Sequence, residues 1–343
     1  MLCALIMAGG IGSRFWPSST PRKPKQFLAL INEKTMIQLT YERMNKLIDK
    51  DHIFIVTNKE YKDLVKEQIE GIKDENIICE PAGRNTAPCI LLSCLYIKNL
   101  LGEATIACVS SDSYIEKEEL FLNNIKEASN FVNSERKAVV TIGITPTRAE
   151  TGYGYIKYLK ENKLINKVEC FVEKPNLEKA TEYLESGNYL WNAGIFVFNN
   201  MAMLHELETN LSDDYHKLVD LPKVADKNYE SFLDERYPNC NKISIDYAVM
   251  EKSKDIYTIP SDIGWDDVGT WKSLERYLPE DELHNIKKGN IKVVNSHHNI
   301  IYGADKPILL LDVDDIFCID AKDCLVIGKR DSIKDVHNYR EKM

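Results

Sequence analysis

The sequence predicts an α/β protein with a mixed, mainly parallel sheet, followed by a smaller β-rich domain. In the first part of the chain, apolar runs of strand length alternate with segments of helical period, which is typical of a parallel sheet with helices on both faces. After about residue 285 the chain changes to short β-runs separated by Asn, Gly and Asp. We therefore expect one domain over residues 1–284 and a second over residues 285–343.

The elements of the larger domain follow from this alternation. Strands are predicted at 2–7, 53–56, 77–79, 105–109 and 138–142, and helices at about 35–49, 59–70, 87–101 and 117–132. From residue 153 the pattern changes to a hairpin, a helix near 177–186 and a strand at 189–198, so the predicted sheet is mixed.

Composition and charge narrow the classes of partner. The 343 residues carry a formal net charge of −9, and binding of nucleic acid or an anionic membrane would need a basic face. The nine cysteines lie mostly in apolar stretches without a Cys-x-x-Cys pair, which indicates buried thiols in a reduced, cytoplasmic protein. The apolar start MLCALIM is too short for a signal peptide, and no run approaches a membrane span.

The phrase MAGGIGSRFWPSSTPRKPKQF places glycines directly after the first predicted strand. Such a loop lets backbone N–H groups approach a phosphate. It does not fit the dinucleotide fingerprint, because Phe15 replaces the third small residue, and it lacks the Gly-Lys-Ser/Thr of the ATPase loop. The cations that follow are Arg14, Arg22, Lys23 and Lys25. The sequence therefore predicts an open, positively charged loop.

Acidic residues follow in two other predicted loops. Asp112 comes just after the strand at 105–109, where capping a helix is its alternative role. Asp266 and Asp267 stand between two tryptophans in IGWDDVGTW, and either could instead cap a helix that begins near Val268. Two carboxylates from distant loops suit Mg²⁺, with phosphate oxygens in its remaining positions.

Four further polar phrases are PKQF, EPAGRNTAP, TGYGYI and FVEKP. Each is weak alone, because a Lys or Arg is by default a solvated surface residue. Lys174 precedes Pro175, which favours extended backbone at the residue before it. Several cations, one divalent metal and no nucleophile arrangement together favour phosphoryl or nucleotidyl transfer, in which positioning and charge neutralisation provide most of the catalysis.

Nine phrases in order resemble one family, the sugar-1-phosphate nucleotidyltransferases, and within it the mannose-1-phosphate guanylyltransferases. They are AGGIGSRFWP, PKQF, EPAGRNTAP, SSDS, GITPTRAETGYGYI, FVEKP, LWNAGIFVF, SIDYAVMEK and GWDDVGTW. The resemblance implies a Rossmann-like nucleotidyltransferase domain followed by a small C-terminal left-handed β-helix. Longer members append an isomerase domain, for which we expect no room in 343 residues.

The resemblance also implies a reaction in which GMP passes from GTP to α-D-mannose 1-phosphate, with Mg²⁺ and without a covalent intermediate. The implied catalytic cations are Arg14, Lys25 and Lys174, and the implied Mg²⁺ ligands are Asp112 and Asp267. The implied nucleotide-binding residues are Gly9, Gly10, Gly12, Ser13, Glu80, Arg84 and Asn85. The implied sugar-binding residues are Gly152, Tyr153, Gly154, Glu173 and Asn192.

Glu80 is the residue we expect to recognise the base. It follows the predicted strand Ile77–Cys79, and an ionised carboxylate there can accept from both N1–H and the exocyclic N2–H₂ of guanine. Uracil, thymine and adenine each present an acceptor to it, so they would be repelled. The alternative is a solvated residue that closes a strand before Pro81.

The chain departs from the family's usual residues at three of these positions. Ser13, Phe15 and Ser113 stand where the family usually has Thr, Leu and His, and none of these changes removes an acidic residue or an Arg or Lys. Two other functions stay open, a catalytically silent nucleotide-sugar-binding regulatory homologue and a nucleotidyltransferase of another sugar 1-phosphate. Retention of the five implied charged residues favours catalysis, and a homodimer stays open as the assembly.

Overall fold

The computed structural model describes residues 1–10, 12–161, 163–303 and 306–342. Its strands are β1 (Leu2–Met7), β2 (Ile53–Asn58), β3 (Ile77–Glu80), β4 (Thr105–Ser110), β5 (Tyr114–Ile115), β6 (Val139–Ile144), β7 (Tyr155–Tyr158), β8 (Asn166–Val172), β9 (Tyr189–Asn199), β10 (Ile256–Ser261), β11 (Trp265–Asp266), β12 (Ile286–Lys288), β13 (Ile291–Val294), β14 (Ile300–Tyr302), β15 (Ile308–Leu311), β16 (Ile316–Ala321) and β17 (Cys324–Lys329). Its α-helices are α1 (Met36–Asn45), α2 (Lys62–Gln68), α3 (Thr86–Leu101), α4 (Glu118–Ser134), α5 (Leu177–Ser186), α6 (Asn200–Asn210), α7 (Ser212–Leu218) and α8 (Tyr229–Arg236).

The chain divides into two compact units, of which the first contains Met1–Gly9, Thr40–Ser111 and Ile115–Trp265. Its centre is a nine-stranded sheet in the order β3-β2-β1-β4-β9-β6-β10-β8-β7. β1 to β4 run parallel to one another, so their carboxyl ends share one edge. β9 is antiparallel to β4 and β6, and β8 is antiparallel to β7 and β10. The prediction of an α/β protein with a mixed sheet is confirmed.

The core of the first unit is assembled around α3, whose residues are apolar on nearly every face. Eleven of its sixteen residues are buried, and they pack in one cluster with side chains of β1, β2 and β4. Six of the nine cysteines are buried free thiols, and burial raises the pKa of Cys3 to about 11. The sequence predicted such thiols, although Cys170 is exposed. Across the described part of the chain, no helix combines the length and apolarity needed to cross a lipid bilayer.

The second unit contains Gly10–Leu39, Asp112–Tyr114 and Asp266–Met343. Its later strands pair in parallel, β12 with β14, β14 with β16, and β13 with β15, and β17 closes the set by pairing antiparallel with β16. Its core joins Phe15 from the early segment to Ile300 and Phe317 from these strands. The predicted boundary between residues 284 and 285 therefore lies inside this unit, and Met343, the predicted end of the second domain, lies outside the described residues.

Two buried asparagines stack between the successive parallel strands of this unit. Asn285 and Asn299 are both fully buried, and Asn285 Oδ1 accepts from the backbone N–H and the side-chain amide of Asn299 at 3.0 Å each. Their own amides donate to the backbone oxygens of Ser296 at 2.9 Å and Val313 at 2.8 Å. The side chains thus satisfy backbone groups at bends where the strands end, and this explains why Asn recurs between the β-runs.

Candidate functional site

The glycine-rich loop of the second unit is held against the segment that contains Lys25. Gly12 has a φ of +59°, and a Cβ on it would stand 2.3 Å from Lys25 Cβ, so only glycine fits there. Gln26 Nε2 donates to the Gly10 carbonyl at 2.9 Å, and Ser19 Oγ donates to the Gly12 carbonyl at 2.7 Å. These contacts fix the loop through its carbonyl groups.

The other side of this loop is exposed. Gly10, Ser13 and Arg14 are solvent-exposed, and no atom of the described residues lies within 4 Å of the place where a Cβ would stand on Gly10. Phe15, which does not fit the dinucleotide fingerprint, is fully buried in the core of the unit. The loop is open on one face, as the sequence predicts, and a phosphate has room to approach its backbone.

Lys25 brings the two predicted acidic residues together. The residue is only 5% exposed, and Nζ donates to Asp112 Oδ2 at 2.9 Å and to the Asp267 backbone oxygen at 2.6 Å. A buried ammonium group needs such partners, because desolvation without them costs several kcal/mol. Asp267 Oδ2 and Arg14 Nη1 both lie near Gly269, at 2.7 and 3.3 Å from the place where its Cβ would stand. We call Arg14, Lys25, Asp112 and Asp267 the cation–acid cluster.

The two adjacent aspartates of the WDDVG phrase have different surroundings. Asp266 is 5% exposed, its Oδ1 accepts from the Val268 backbone N–H at 2.7 Å, and it pairs with Arg276. The alternative of a cap for a helix that begins near Val268 is wrong, because the next helical turn begins at Trp271 and is capped by Thr270, and the Asp266 bond closes a local turn instead. Val268 has a φ of +44°, which is strained for a β-branched side chain. Asp267 is thus the aspartate of the pair that lies beside Lys25.

The donor set of the cation–acid cluster suits a hard divalent cation. In the ranges 1–10, 12–161, 163–303 and 306–342, no group of three or more His, Cys, Asp or Glu side chains could hold a metal ion. Mg²⁺, however, is usually bound by one or two carboxylates, and substrate phosphates and waters complete its six positions. Asp112 and Asp267 supply two carboxylates of the second unit, and Lys25 bonds to the carboxylate of Asp112 and to the backbone oxygen of Asp267. The residues present therefore fit Mg²⁺ in the company of a phosphate.

In the first unit, Glu80 ends β3 in a buried position. It is 5% exposed, which excludes the alternative of a solvated residue. Tyr237 Oη donates to Glu80 Oε1, the Cys89 thiol donates a further hydrogen bond, and Oε2 lies 3.1 Å from the place where a Cβ would stand on Gly9. Burial raises the pKa of Glu80 to about 7, although the bonds from Tyr237 and Cys89 oppose that shift.

The rest of the EPAGRN phrase is tied to the fold of the first unit. Asn85 has a φ of +67°, and its side chain accepts from the Thr86 backbone N–H at 2.8 Å, which caps α3. Arg84 Nη2 donates to the Pro238 carbonyl. Tyr237 and Pro238 thus contact both charged residues of the phrase, and no feature of their local sequence signals this role.

The predicted sugar-binding residues of the first unit converge. A Cβ on Gly154 would stand 2.9 Å from Glu173 Oε2 and 3.5 Å from Asn192 Cβ, so both side chains lie close to the Gly154 backbone. Lys174 Nζ lies 2.7 Å from Glu173 Oε1. The expectation of extended backbone at Lys174 is wrong, because its φ is +37° despite the following Pro175. Such strain in a non-glycine residue is frequent at functional sites.

The Asn192 side chain is oriented by a residue to which the sequence assigned no role. Asn192 Nδ2 donates to Asp246 Oδ1 at 2.7 Å, and Asn192 Oδ1 accepts from the Gly194 backbone N–H at 3.0 Å. Burial, and then the charge of Glu173, raise the pKa of Asp246. Asp246 lies in the SIDYAVMEK phrase, and this was its only signal in the sequence.

Tyr153 joins an aromatic cluster beside the same loop. Its ring lies edge-on to Trp191 and Trp265, with centroid separations of 5.3 and 5.2 Å. The preceding Gly152 donates its backbone N–H to Glu150 Oε1 at 3.0 Å. The loop is therefore fixed by packing on one side of Tyr153 and by a hydrogen bond at its start.

Comparison with known proteins gives consistent matches along the chain. A family model described as nucleotidyl transferase matches residues 3–282. A mannose-1-phosphate guanylyltransferase of Salmonella montevideo is 36% identical over 355 residues, which cover 100% of this chain and 74% of that protein. The alginate biosynthesis protein AlgA of Pseudomonas fluorescens is 35% identical, over 97% of this chain and 70% of its own length. A solved structure from Thermus thermophilus, described as a mannose-1-phosphate geranyltransferase, matches with a TM-score of 0.87 at 30% identity, over 99% of this chain and 98% of that one.

Proposed function

We propose a specific reaction from one premise: this chain belongs to the nucleotidyl transferase family. It transfers GMP from GTP to α-D-mannose 1-phosphate and yields GDP-mannose and pyrophosphate. The observation that carries the proposal is the cation–acid cluster beside the glycine-rich loop. The relatives named mannose-1-phosphate guanylyltransferase support the choice of nucleotide and sugar phosphate.

The transfer is an in-line displacement at phosphorus. An oxygen of the sugar phosphate forms a bond to the α-phosphorus of GTP, and the bond from that phosphorus to the bridging oxygen of the β-phosphate breaks, so pyrophosphate departs with the electron pair. Negative charge grows on the departing group. Arg14 and Lys25 would stabilise that charge, and the backbone of Gly9, Gly10, Gly12 and Ser13 would bind the phosphates of the nucleotide.

Asp112 and Asp267 would hold the magnesium ion. A bound Mg²⁺ supplies charge neutralisation and orientation at the phosphates. Lys25 contacts both of these aspartates, so it positions the acidic residues as well as contributing its own charge. Its contacts with both aspartates support the assignment of Lys25 as a catalytic cation.

The sugar phosphate is assigned to residues of the first unit. Lys174 would bind its phosphate, because an ammonium group on an exposed side chain is a point charge that can approach one. Glu173, Asn192 and the Gly152–Gly154 loop, which includes Tyr153, would bind sugar hydroxyls, with carboxylate and carbonyl oxygens as acceptors and amide N–H groups as donors. The convergence of Gly154, Glu173 and Asn192 supports this assignment.

Glu80, with Arg84 and Asn85 of the same phrase, is assigned to the base. The ionised carboxylate accepts from N1–H and N2–H₂ of guanine, and its burial makes a wrong base costly because buried groups would stay unpaired. Hydrogen bonds from Tyr237 and Cys89 favour the ionised form. Arg84 and Asn85 hold the loop that carries it.

We assign residues 1–284 to a Rossmann-like catalytic domain and residues 285–343 to a left-handed β-helix. The parallel pairing of β12, β14 and β16 and the stacked Asn285 and Asn299 support a coil of successive strands. We place the protein in the cytoplasm, because six of its cysteines are buried as small hydrophobic residues. We keep a homodimer as the assembly to be tested.

The deciding experiment is a pyrophosphate-release assay of the purified chain with four nucleoside triphosphates against several sugar 1-phosphates. We expect the highest kcat/KM with GTP and mannose 1-phosphate. If no pyrophosphate is released with any pair of substrates, the protein is better described as a catalytically silent regulatory homologue. A preference for a different sugar would favour a nucleotidyltransferase of another sugar 1-phosphate. Glu80→Gln should weaken GTP use and relax discrimination against UTP, because an amide can donate to a pyrimidine carbonyl.

A further inference from the structure

Glu80 is held by a residue that lies far from it in the sequence. Tyr237 follows α8 in a short 3₁₀ turn, is fully buried, and donates its phenol proton to Glu80 Oε1. The other oxygen, Oε2, lies 3.1 Å from the place where a Cβ would stand on Gly9, where the glycine-rich loop begins. One oxygen is therefore anchored to Tyr237, and the other lies beside the start of the loop.

The segment that contains Tyr237 also contacts the rest of the EPAGRNT stretch, which follows Glu80. Pro238 accepts from Arg84, and farther along the segment the Ile245 backbone N–H donates to Thr86 Oγ1 at 2.8 Å. Both ends of the EPAGRNT stretch are thus attached to residues 237–245. A change of conformation at Glu80 would have to break contacts with this segment.

The bond to Tyr237 leaves room for the contacts that guanine needs. Each carboxylate oxygen has two lone pairs, so Oε1 can accept from Tyr237 and from one base N–H, while Oε2 accepts from the second. The titratable groups that face the Glu80 carboxyl are Tyr237 and Cys89. Burial raises the pKa of Tyr237 well above its ordinary value, so the phenol stays a donor at every pH used for assay.

We infer that Tyr237 is a positioning residue for base selection, which aims the Glu80 carboxylate at the base and keeps it an acceptor. The inference rests on the proposed function, because it assumes that Glu80 reads guanine. Tyr237 acts through Glu80 and has no assigned contact with a reacting atom. Its removal should therefore change the affinity for GTP and the choice of base, and it should not change the use of the sugar phosphate.

The test is steady-state kinetics of Tyr237→Phe, which removes only the phenol oxygen. At pH 7 we expect the KM for GTP to rise about tenfold, in the range for a lost hydrogen bond to a charged group, with the KM for mannose 1-phosphate unchanged within about twofold. The preference for GTP over UTP should fall in parallel. At pH 8.5 the part of the rise that comes from protonation of Glu80 should disappear, and the part that comes from its lost orientation should remain.

Tyr229→Phe is the matched control. Tyr229 is also a buried tyrosine of the first unit, but its hydroxyl has no hydrogen-bond partner among the described residues, so its removal should leave both KM values unchanged. The double variant Tyr237→Phe/Glu80→Gln should resemble Glu80→Gln alone, because both changes act on one interaction.

The outcomes separate the two proposals. Equal rises in both KM values, an unchanged KM for GTP, or additive effects in the double variant would each overturn the role of Tyr237. If Glu80→Gln itself keeps the wild-type base preference, the base assignment in the proposed function is wrong and the role of Tyr237 is lost with it. If the wild-type chain prefers another nucleotide, the proposed function fails before any variant is compared.

Discussion

At the scale of the residue, Lys25 shows that a lysine can be a buried and paired group instead of a solvated surface residue. A lysine in PKQF is by default a solvated residue, but here the residue is 5% exposed and its ammonium group bonds to two segments of the second unit. Desolvating that ammonium group is costly, so the folded protein must keep hydrogen-bond acceptors beside it. The position of Asp267 therefore depends on Lys25 as well as on its own loop.

The adjacent aspartates allow a direct comparison of Asp267, which is proposed to hold Mg²⁺, with Asp266, which pairs with Arg276. Asp267→Asn should lower kcat by about a hundredfold or more and leave the unfolding midpoint nearly unchanged, because it removes charge at the phosphates. Asp266→Asn should instead cost about 1–2 kcal/mol of stability and keep most of the turnover, because it weakens the pair with Arg276. Urea unfolding and pyrophosphate release measure the two effects, and the reverse pattern would exchange the two roles.

The buried Glu80 gives the stability of the protein a specific pH dependence. Burial raises its pKa from 4.5 to about 7, so between these values the folded state retains a proton that the unfolded state has released. This carboxyl therefore makes folding less favourable as pH rises from 4.5 to 7, by about 3 kcal/mol, and the loss stays constant above pH 7.

Glu80→Gln removes this titration. Relative to the wild type, the variant should gain stability between pH 5 and pH 8, and denaturant unfolding at both values measures the difference. Glu127→Gln, on the exposed face of α4, is the control and should show no such gain. A pH-independent difference between Glu80→Gln and wild type would mean that Glu80 is ionised throughout this range.

At the scale of the element, helix bounds could be predicted where the sequence contains caps. The range 177–186 predicted for α5 agrees with the structure, because the Asn176 side chain accepts from the Lys179 backbone N–H at 2.9 Å and Gly187 ends the helix with a φ of +68°. Both caps are visible in the sequence as Asn before the helix and Gly after it.

The first helix has no such end signal, and its predicted length was wrong. Its apolar period extends to Ile48, but α1 ends at Asn45, because the chain continues as tight turns. In these turns the backbone N–H groups of Leu47 and Ile48 both donate to the Met44 carbonyl. The side chains keep a helical face after the regular helix has ended, so periodicity overestimated its length.

Two glycines of the glycine-rich loop should differ in their effect on stability and share an effect on GTP binding. Gly12→Ala should destabilise the protein by about 1–3 kcal/mol, because it combines a φ of +59° with a Cβ 2.3 Å from Lys25 Cβ. Gly10→Ala should change stability by less than about 0.5 kcal/mol, since its Cβ meets no described atom within 4 Å. Both should raise the KM for GTP if the open face holds the phosphates. A Gly10→Ala variant with wild-type kinetics would place the phosphates elsewhere.

At the scale of the whole molecule, each of the two units carries some of the proposed catalytic, binding and metal-holding residues. The first unit holds Glu80, Lys174, Glu173 and Asn192, and the second holds Arg14, Lys25, Asp112 and Asp267. Sequence phrases single out these residues as candidates, because each phrase keeps its proposed functional positions within a few residues of one another. They could not predict supporting contacts made over long separations, such as those of Tyr237 with Glu80, 157 residues apart, and of Asp246 with Asn192, 54 residues apart.

This division of residues predicts that Lys174 serves the sugar phosphate while Lys25 serves the nucleotide. Lys174→Ala should raise the KM for mannose 1-phosphate by about tenfold and leave the KM for GTP within about twofold, because it removes one charge that binds a phosphate. Lys157→Ala is the matched control, since Lys157 also pairs with a glutamate, Glu169, at 2.9 Å in the first unit but outside the proposed site. Initial rates with each substrate varied in turn separate the two constants. A rise confined to the KM for GTP would reverse the roles of the two lysines, and equal effects of Lys174→Ala and Lys157→Ala would reduce Lys174 to a surface ion pair.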